Sequence, residues 1–128
     1  MQQEHGNFQL MVEGRIIHNY PIGGFNAEGI KSLTDAIVDI APSNGHWALF
    51  EHPKVEAGLT PDGVEAIKMM YEILIEHGCV AIALEIGYTF GNVLERKVLK
   101  DLGVPTMTGL EEEKIEAFLQ AELDKSKQ

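Results

Sequence analysis

Cys79-Val80-Ala81-Ile82-Ala83-Leu84-Glu85-Ile86 is apolar at every position but one. A short run of that kind, apolar on both faces, is what a central parallel strand requires when helices cover it from each side. Its alternate positions differ in size. Cys79, Ala81 and Ala83 are small, whereas Val80, Ile82, Leu84 and Ile86 are bulky. The small face should admit a closely packed helix, and the bulky face should fill the other layer. The reading of the chain spreads outward from this strand.

Immediately before it, Val64, Ile67, Tyr71, Leu74 and Ile75 line one face of a helix, with Met70 beside them. Thr60 is a good N-cap for that helix, because its hydroxyl can accept from an orphan N–H of the first turn. Pro61 at the first helical position needs no N–H, and Asp62 complements the positive end of the dipole. His77 and Gly78 suit the other end. Further upstream, His46 to about Glu51 reads as a strand, followed by a loop from His52 to Gly58. Asn26 can cap a helix over Ala27 to Ala41, with apolar residues at Ile30, Leu33, Ile37 and Ile40. Pro42-Ser43-Asn44-Gly45 terminates it. At the start, Phe8, Leu10 and Val12 alternate with Gln9, Met11 and Glu13, and Gly14 separates them from a second short strand, Arg15 to Tyr20. These read as an antiparallel hairpin. Pro21-Ile22-Gly23-Gly24-Phe25 is a flexible linker.

Downstream, Gly87 to Gly91 is a loop, and Asn92 can cap a third helix carrying Leu94, Val98, Leu99 and Leu102, closed by Gly103. Val104-Pro105-Thr106-Met107 reads as a last strand, with Pro105 at an edge or a strand beginning. The final helix places Glu111, Glu112 and Glu113 at its positive end and Ile115, Phe118, Leu119 and Leu123 on its apolar face. The order is β-β-α-β-α-β-α-β-α. Helical crossovers make their flanking strands parallel, so with the hairpin the sheet is mixed. Residues 1–128 make one α/β domain, its ordered core running from about 8 to 123.

Composition narrows function by exclusion. Twenty acidic against ten basic residues give a formal net charge of −10, which repels phosphate backbones and anionic membranes. No nucleic-acid partner is expected. No run approaches the roughly 18 apolar residues of a membrane-spanning helix, and the first residues lack the pattern of a signal peptide. Neither membrane insertion nor export is expected, and the location expected is cytoplasmic. The single cysteine, Cys79, reads as a small buried hydrophobe. The five histidines (His5, His18, His46, His52, His77) show no metal-motif spacing, so no metal and no cofactor are expected. Gly23-Gly24 lacks a phosphate-loop pattern and reads as a turn into the Asn26 cap. Met69, Met70 and Trp47 read as core filling. The opening hairpin leaves an edge strand through which a homodimer could pair.

Taken together, the element order and several of these stretches resemble the STAS domains (sulfate transporter and anti-sigma-factor antagonist). The small standalone STAS-like proteins of bacteria, related to the CRAL-TRIO lipid-binding fold, are more similar still. The carriers are the hairpin followed by Gly23-Gly24-Phe25-Asn26, then His46-Trp47-Ala48-Leu49-Phe50 and Leu59-Thr60-Pro61, then Val80-Ala81-Ile82-Ala83-Leu84 and Leu102-Gly103-Val104-Pro105. The resemblance runs from about Phe8 to Leu119. It implies a switchable interaction module with a protein partner rather than an enzyme. In anti-sigma-factor antagonists a Ser or Thr at the start of the helix after the third strand is phosphorylated, within an Asp followed by two hydroxyl residues and a small one. Here only Thr60 matches that pattern by type, and Pro61 stands where the second hydroxyl would be.

The leading expectation is therefore a regulatory or interaction domain whose contact surface comprises Thr60, Pro61, Asp62, Asn26, Tyr88 and Thr89. A carrier or sensor of a small apolar ligand or lipid is the alternative. A third reading is an enzyme built at the carboxyl ends of the strands, where ligands gather in α/β sheets. Glu51, His52, Glu85 and Thr108 are the candidates there, with Glu85 and His52 as an acid–base pair. Glu51 and His52 are adjacent and should point to opposite faces, so at most one of them joins Glu85.

Overall fold

The computed structural model describes residues 6–53, 58–86 and 98–126. Strands β1 (Asn7–Glu13) and β2 (Ile16–Ile22) form the opening antiparallel hairpin, turning through Gly14 at φ 61°. They are followed by β3 (Gly24–Phe25), α1 (Ala27–Ile40), β4 (Trp47–Glu51), β5 (Gly58–Leu59), α2 (Pro61–Glu76) and β6 (Cys79–Glu85). A 3-10 turn at Leu99–Asp101, strand β7 (Thr106–Gly109) and helix α3 (Glu112–Ser126) complete the described chain.

Five strands make one mixed sheet in the order β1-β2-β4-β6-β7, with β1 and β7 at its edges. Strands β2, β4, β6 and β7 are mutually parallel. Because β2, β4 and β6 step the same way across the sheet, crossovers of one hand place α1 and α2 on the same face. Their apolar stripes meet Ile17, Leu49, Ile82 and Leu84 there, around fully buried Trp47 and Tyr71. Helix α3 covers the opposite face, setting Ile115, Leu119 and Leu123 on Ile16, Ala48, Phe50, Ala81 and Ala83. The fold is an α/β single domain on a mixed sheet, as the pattern predicts, and three of the four expected helices are seen among the described residues.

Several details depart from the expected reading. The alternation along Cys79–Ile86 holds from Ala81 onward but fails at its start. Trp47 pairs with Cys79, whereas Ala48 pairs with Ala81, so Val80 is an extra residue in the ladder. Cys79 thereby joins the α1–α2 core, and Val80 packs towards α3. At the edge strand, Phe8 and Leu10 pack on the core but Val12 is exposed. Trp47 and Met70 fill the core, whereas Met69 is 61% exposed on the outer side of α2. The last strand begins two residues later than expected, after Pro105, whose carbonyl accepts from the Ile82 N–H. Most of the helix expected from Asn92 lies outside the described residues. Its described end is the 3-10 turn, where Val98 and Leu99 are buried. The linker after β2 is also more structured than its glycines suggest. β3 pairs in parallel with β5 as a separate two-stranded sheet.

Candidate functional site

The β3–β5 pairing sets the starts of α1 and α2 side by side. The Gly58 N–H donates to the Gly23 carbonyl at 3.0 Å, and the Thr60 N–H to the Phe25 carbonyl at 2.9 Å. Asn26 then caps α1, its Oδ1 accepting from the Gly29 N–H at 3.0 Å. Thr60 caps α2, its Oγ1 accepting from the Gly63 N–H at 3.2 Å. The Asp62 carboxylate joins the two helices. It accepts the Ala27 N–H at 3.3 Å from the first turn of α1, and it accepts the hydroxyl of Thr60. That hydroxyl bond, chiefly, holds the Asp62 carboxyl below its ordinary range. Thr60, Pro61 and Asp62 are exposed, and Asn26 is buried. Four residues of the expected contact surface are therefore brought together, while Tyr88 and Thr89 lie outside the described residues.

At the carboxyl ends of the strands, Glu51 and His52 do point to opposite faces. His52 joins Glu85 on the α3 side, its Nδ1 in direct contact with Glu85 Oε1. The His52 ring stacks on Phe50 with centroids 3.9 Å apart, and on Tyr20 at 4.5 Å. Its Nε2 lies 2.8 Å from Nδ1 of His18, in the middle of β2. The His18 ring is buried and stacks in turn on Phe50. A neutral imidazole has one donor and one acceptor nitrogen. With Glu85 accepting from His52 Nδ1, His52 Nε2 is the acceptor and His18 Nδ1 the donor. His18 Nε2 is left with its lone pair outward. That nitrogen makes no hydrogen bond, and it lies 3.4 Å from Glu13 Oε1. Glu13, at the end of β1, and Glu116, on α3, bring carboxylates to it, the three donor atoms lying within 4.8 Å of one another. The same acids, together with Glu112 and Glu85, add to burial in raising the Tyr20 phenol above its ordinary value.

Glu51 turns to the α1–α2 side, where it is fully buried. Its Oε1 accepts from Asn19 Nδ2 at 2.6 Å and its Oε2 from the Tyr71 hydroxyl at 2.8 Å. Burial pushes its carboxyl above the ordinary carboxylate range, against the pull of those two bonds. Thr108 pairs with Leu84, which points into the α1–α2 core, so it falls on that face and not with Glu85. Of the four strand-end candidates, only His52 and Glu85 meet.

His18, Glu13, Glu116, Tyr20, Asn19 and Tyr71 escaped the reading of the sequence. The signal for His18 lay in alternation: Ile16, His18 and Tyr20 share one face of β2, and Phe50 of β4 shares a face with His52 just beyond it. Only the register between β2 and β4 shows that these faces coincide.

Two open grooves flank these features. One, of about 460 Å3, runs between the hairpin turn and α3 and is lined by Glu13, Gly14, Ile16, Glu113, Glu116 and Gln120. Another, of about 870 Å3, lies between the carboxyl ends of α1 and α2 and carries Asp35, Asp39 and Glu76. No helix among the described residues is long and apolar enough to cross a membrane. The chain matches no protein-family model and no curated protein.

Proposed function

We propose that this protein is a non-enzymatic regulatory or protein-interaction domain of STAS-like type, with the paired starts of α1 and α2 as its contact surface. The observation that carries this reading is the Asp62 carboxylate, which bonds the first turn of α1 and the cap of α2 at once. Anything that changes the charge at Thr60 is felt by both helices. A phosphoryl group on Thr60 would replace the hydroxyl proton given to Asp62 with one phosphate of about two negative charges. Repulsion would then release Asp62 from the Ala27 N–H. A partner gripping the two helix starts would sense that change.

Affinity capture from the source cells tests the proposal, with wild-type protein, Thr60→Ser and Thr60→Glu. The serine variant keeps the cap and the hydroxyl, and the glutamate variant adds the charge. The expected result is a partner held by the first two and released by the third, with unchanged circular dichroism. Identical partner sets for all three, or none for any, would sink the proposal.

Acid–base catalysis by His52 with Glu85 has their direct contact in its favour. Against it, both ring nitrogens of His52 are engaged and the ring is stacked between Phe50 and Tyr20. No nitrogen of His52 is left to offer a substrate, so this pair is better suited to orienting His18 than to reacting. The apolar-carrier reading gains less. The grooves described above are open and rimmed by acids, and Trp47 and Met70 are packed into the core.

A further inference from the structure

We infer that Glu13, His18 and Glu116 form a binding site for a divalent transition-metal ion of the zinc class, with His52 and Glu85 as the groups that orient its imidazole. The inference starts from a mismatch. A buried imidazole nitrogen, in a ring 1% exposed, makes no hydrogen bond and faces carboxylates rather than donors. A lone pair and two carboxylate oxygens within 4.8 Å of one another repel, and a cation among them turns all three into ligands.

The second layer of the site agrees with this. A metal-bound histidine characteristically donates its other ring N–H to a further acceptor, which fixes the tautomer and raises the basicity of the ligating nitrogen. With both rings neutral and Glu85 ionised, the contacts have His18 Nδ1 donating to His52 Nε2 and His52 Nδ1 donating to the Glu85 carboxylate. The chain of bonds leaves His18 Nε2 as the ligand atom and polarises it from behind.

Geometry and charge narrow the ion. Zinc–nitrogen and zinc–oxygen bonds of roughly 2.0–2.1 Å at a tetrahedral centre put ligand atoms about 3.3 Å apart. His18 Nε2 and Glu13 Oε1 are 3.4 Å apart. The remaining separations are at most 4.8 Å, and both glutamates line the open groove, where their side chains have room to turn. A neutral imidazole and two carboxylates carry two negative charges, matched by a divalent ion. Calcium and magnesium prefer all-oxygen shells, whereas a nitrogen donor favours zinc and its neighbours. Three protein ligands leave a fourth position for water from the groove between the hairpin and α3. Bound there, the ion would tie the edge hairpin to the C-terminal helix.

Isothermal titration of the metal-free full chain with zinc chloride, paired with nitrogen NMR of the histidine rings, tests the site. The expected result is one ion per chain and a zinc-induced shift of the His18 Nε2 resonance. Glu13→Gln and Glu116→Gln, both at partly or fully solvent-exposed positions, should each weaken binding at least about tenfold. Glu85→Gln, which touches no ligand atom, should weaken it about 10–100-fold by loosening the orientation of His18. Glu113→Gln lies in the same groove outside the triad and should bind as the wild type does. Equal losses for Glu113→Gln and Glu116→Gln would reduce the effect to general acidity and overturn the site. Binding no tighter than millimolar, or without a shift at His18 Nε2, would overturn it as well.

Discussion

Glu51 carries a carboxyl group that solvent does not reach, held between the Asn19 amide and the Tyr71 hydroxyl. Tyr71 stays a donor, since burial and then the neighbouring Glu51 push its phenol well above 10.0. Burial likewise raises the Glu51 carboxyl from its ordinary 4.5. The folded protein therefore keeps this proton over a range of pH in which the unfolded chain has released it. The associated stability is fully present below the ordinary value and is lost as pH rises through the raised one. Glu51→Gln keeps an acceptor for Asn19 and removes the titration, while its amide N–H requires the Tyr71 hydroxyl to turn and accept. Its melting temperature should fall less steeply than that of the wild type as pH rises from about 4.5. Superimposable profiles of melting temperature against pH would show that Glu51 is not the source of the slope. Glu51→Ala should instead cost roughly 1–3 kcal/mol for each orphaned donor, measured by urea denaturation.

Helix α2 shows how two opposed effects at one element are decided by magnitude. Gly63 lies in its first turn, where intrinsic propensity favours alanine over glycine by about 1 kcal/mol. A Cβ at that position, however, would stand 2.6 Å from the Phe25 carbonyl oxygen, and backbone on both sides cannot give way cheaply. Overpacking of this kind costs about 1–3 kcal/mol, so the clash wins. Gly63→Ala should lower the urea midpoint, with a net loss of roughly 1 kcal/mol, and should weaken the Asp62 link to α1. A stabilised variant would mean that α2 does not approach β3 so closely. This contact also marks where the sequence stops being readable. The strands β4 and β6 were legible as short buried runs, and β1 by the alternation that commits each residue to a face. The Thr60 and Asn26 caps were legible from local chemistry alone. β3 and β5 were not, because two residues carry no period; the two caps were expected on one surface, but not the strand pairing that joins them. The His18–His52–Glu85 chain was hidden for a different reason. Each member's face could be read, but their meeting depends on register across three strands.

At the scale of the molecule, one sheet serves two apolar layers, and the question is whether they stand or fall together. Cys79 is placed to answer it. Its thiol is buried in the α1–α2 layer and its pKa is pushed up to about 12 by that burial. Near neutral pH it offers neither access nor thiolate, so a thiol reagent must wait for the layer to open. Leu119 lies in the other layer, on the buried face of α3 against β4 and β6. Leu119→Ala should cost about 2–5 kcal/mol. If β4 and β6 transmit that loss, opening around Cys79 becomes at least about 25-fold more frequent. The labelling rate of Cys79 should rise by that factor when labelling is slow relative to reclosing. A rate unchanged from wild type would mean that the α1–α2 layer opens by itself while α3 detaches separately. The shared strands argue for the first outcome: Leu49 and Ile82 face one layer while Ala48, Phe50, Ala81 and Ala83 face the other on the same two backbones. A strand that loses its ladder on one side cannot keep its side chains packed on the other.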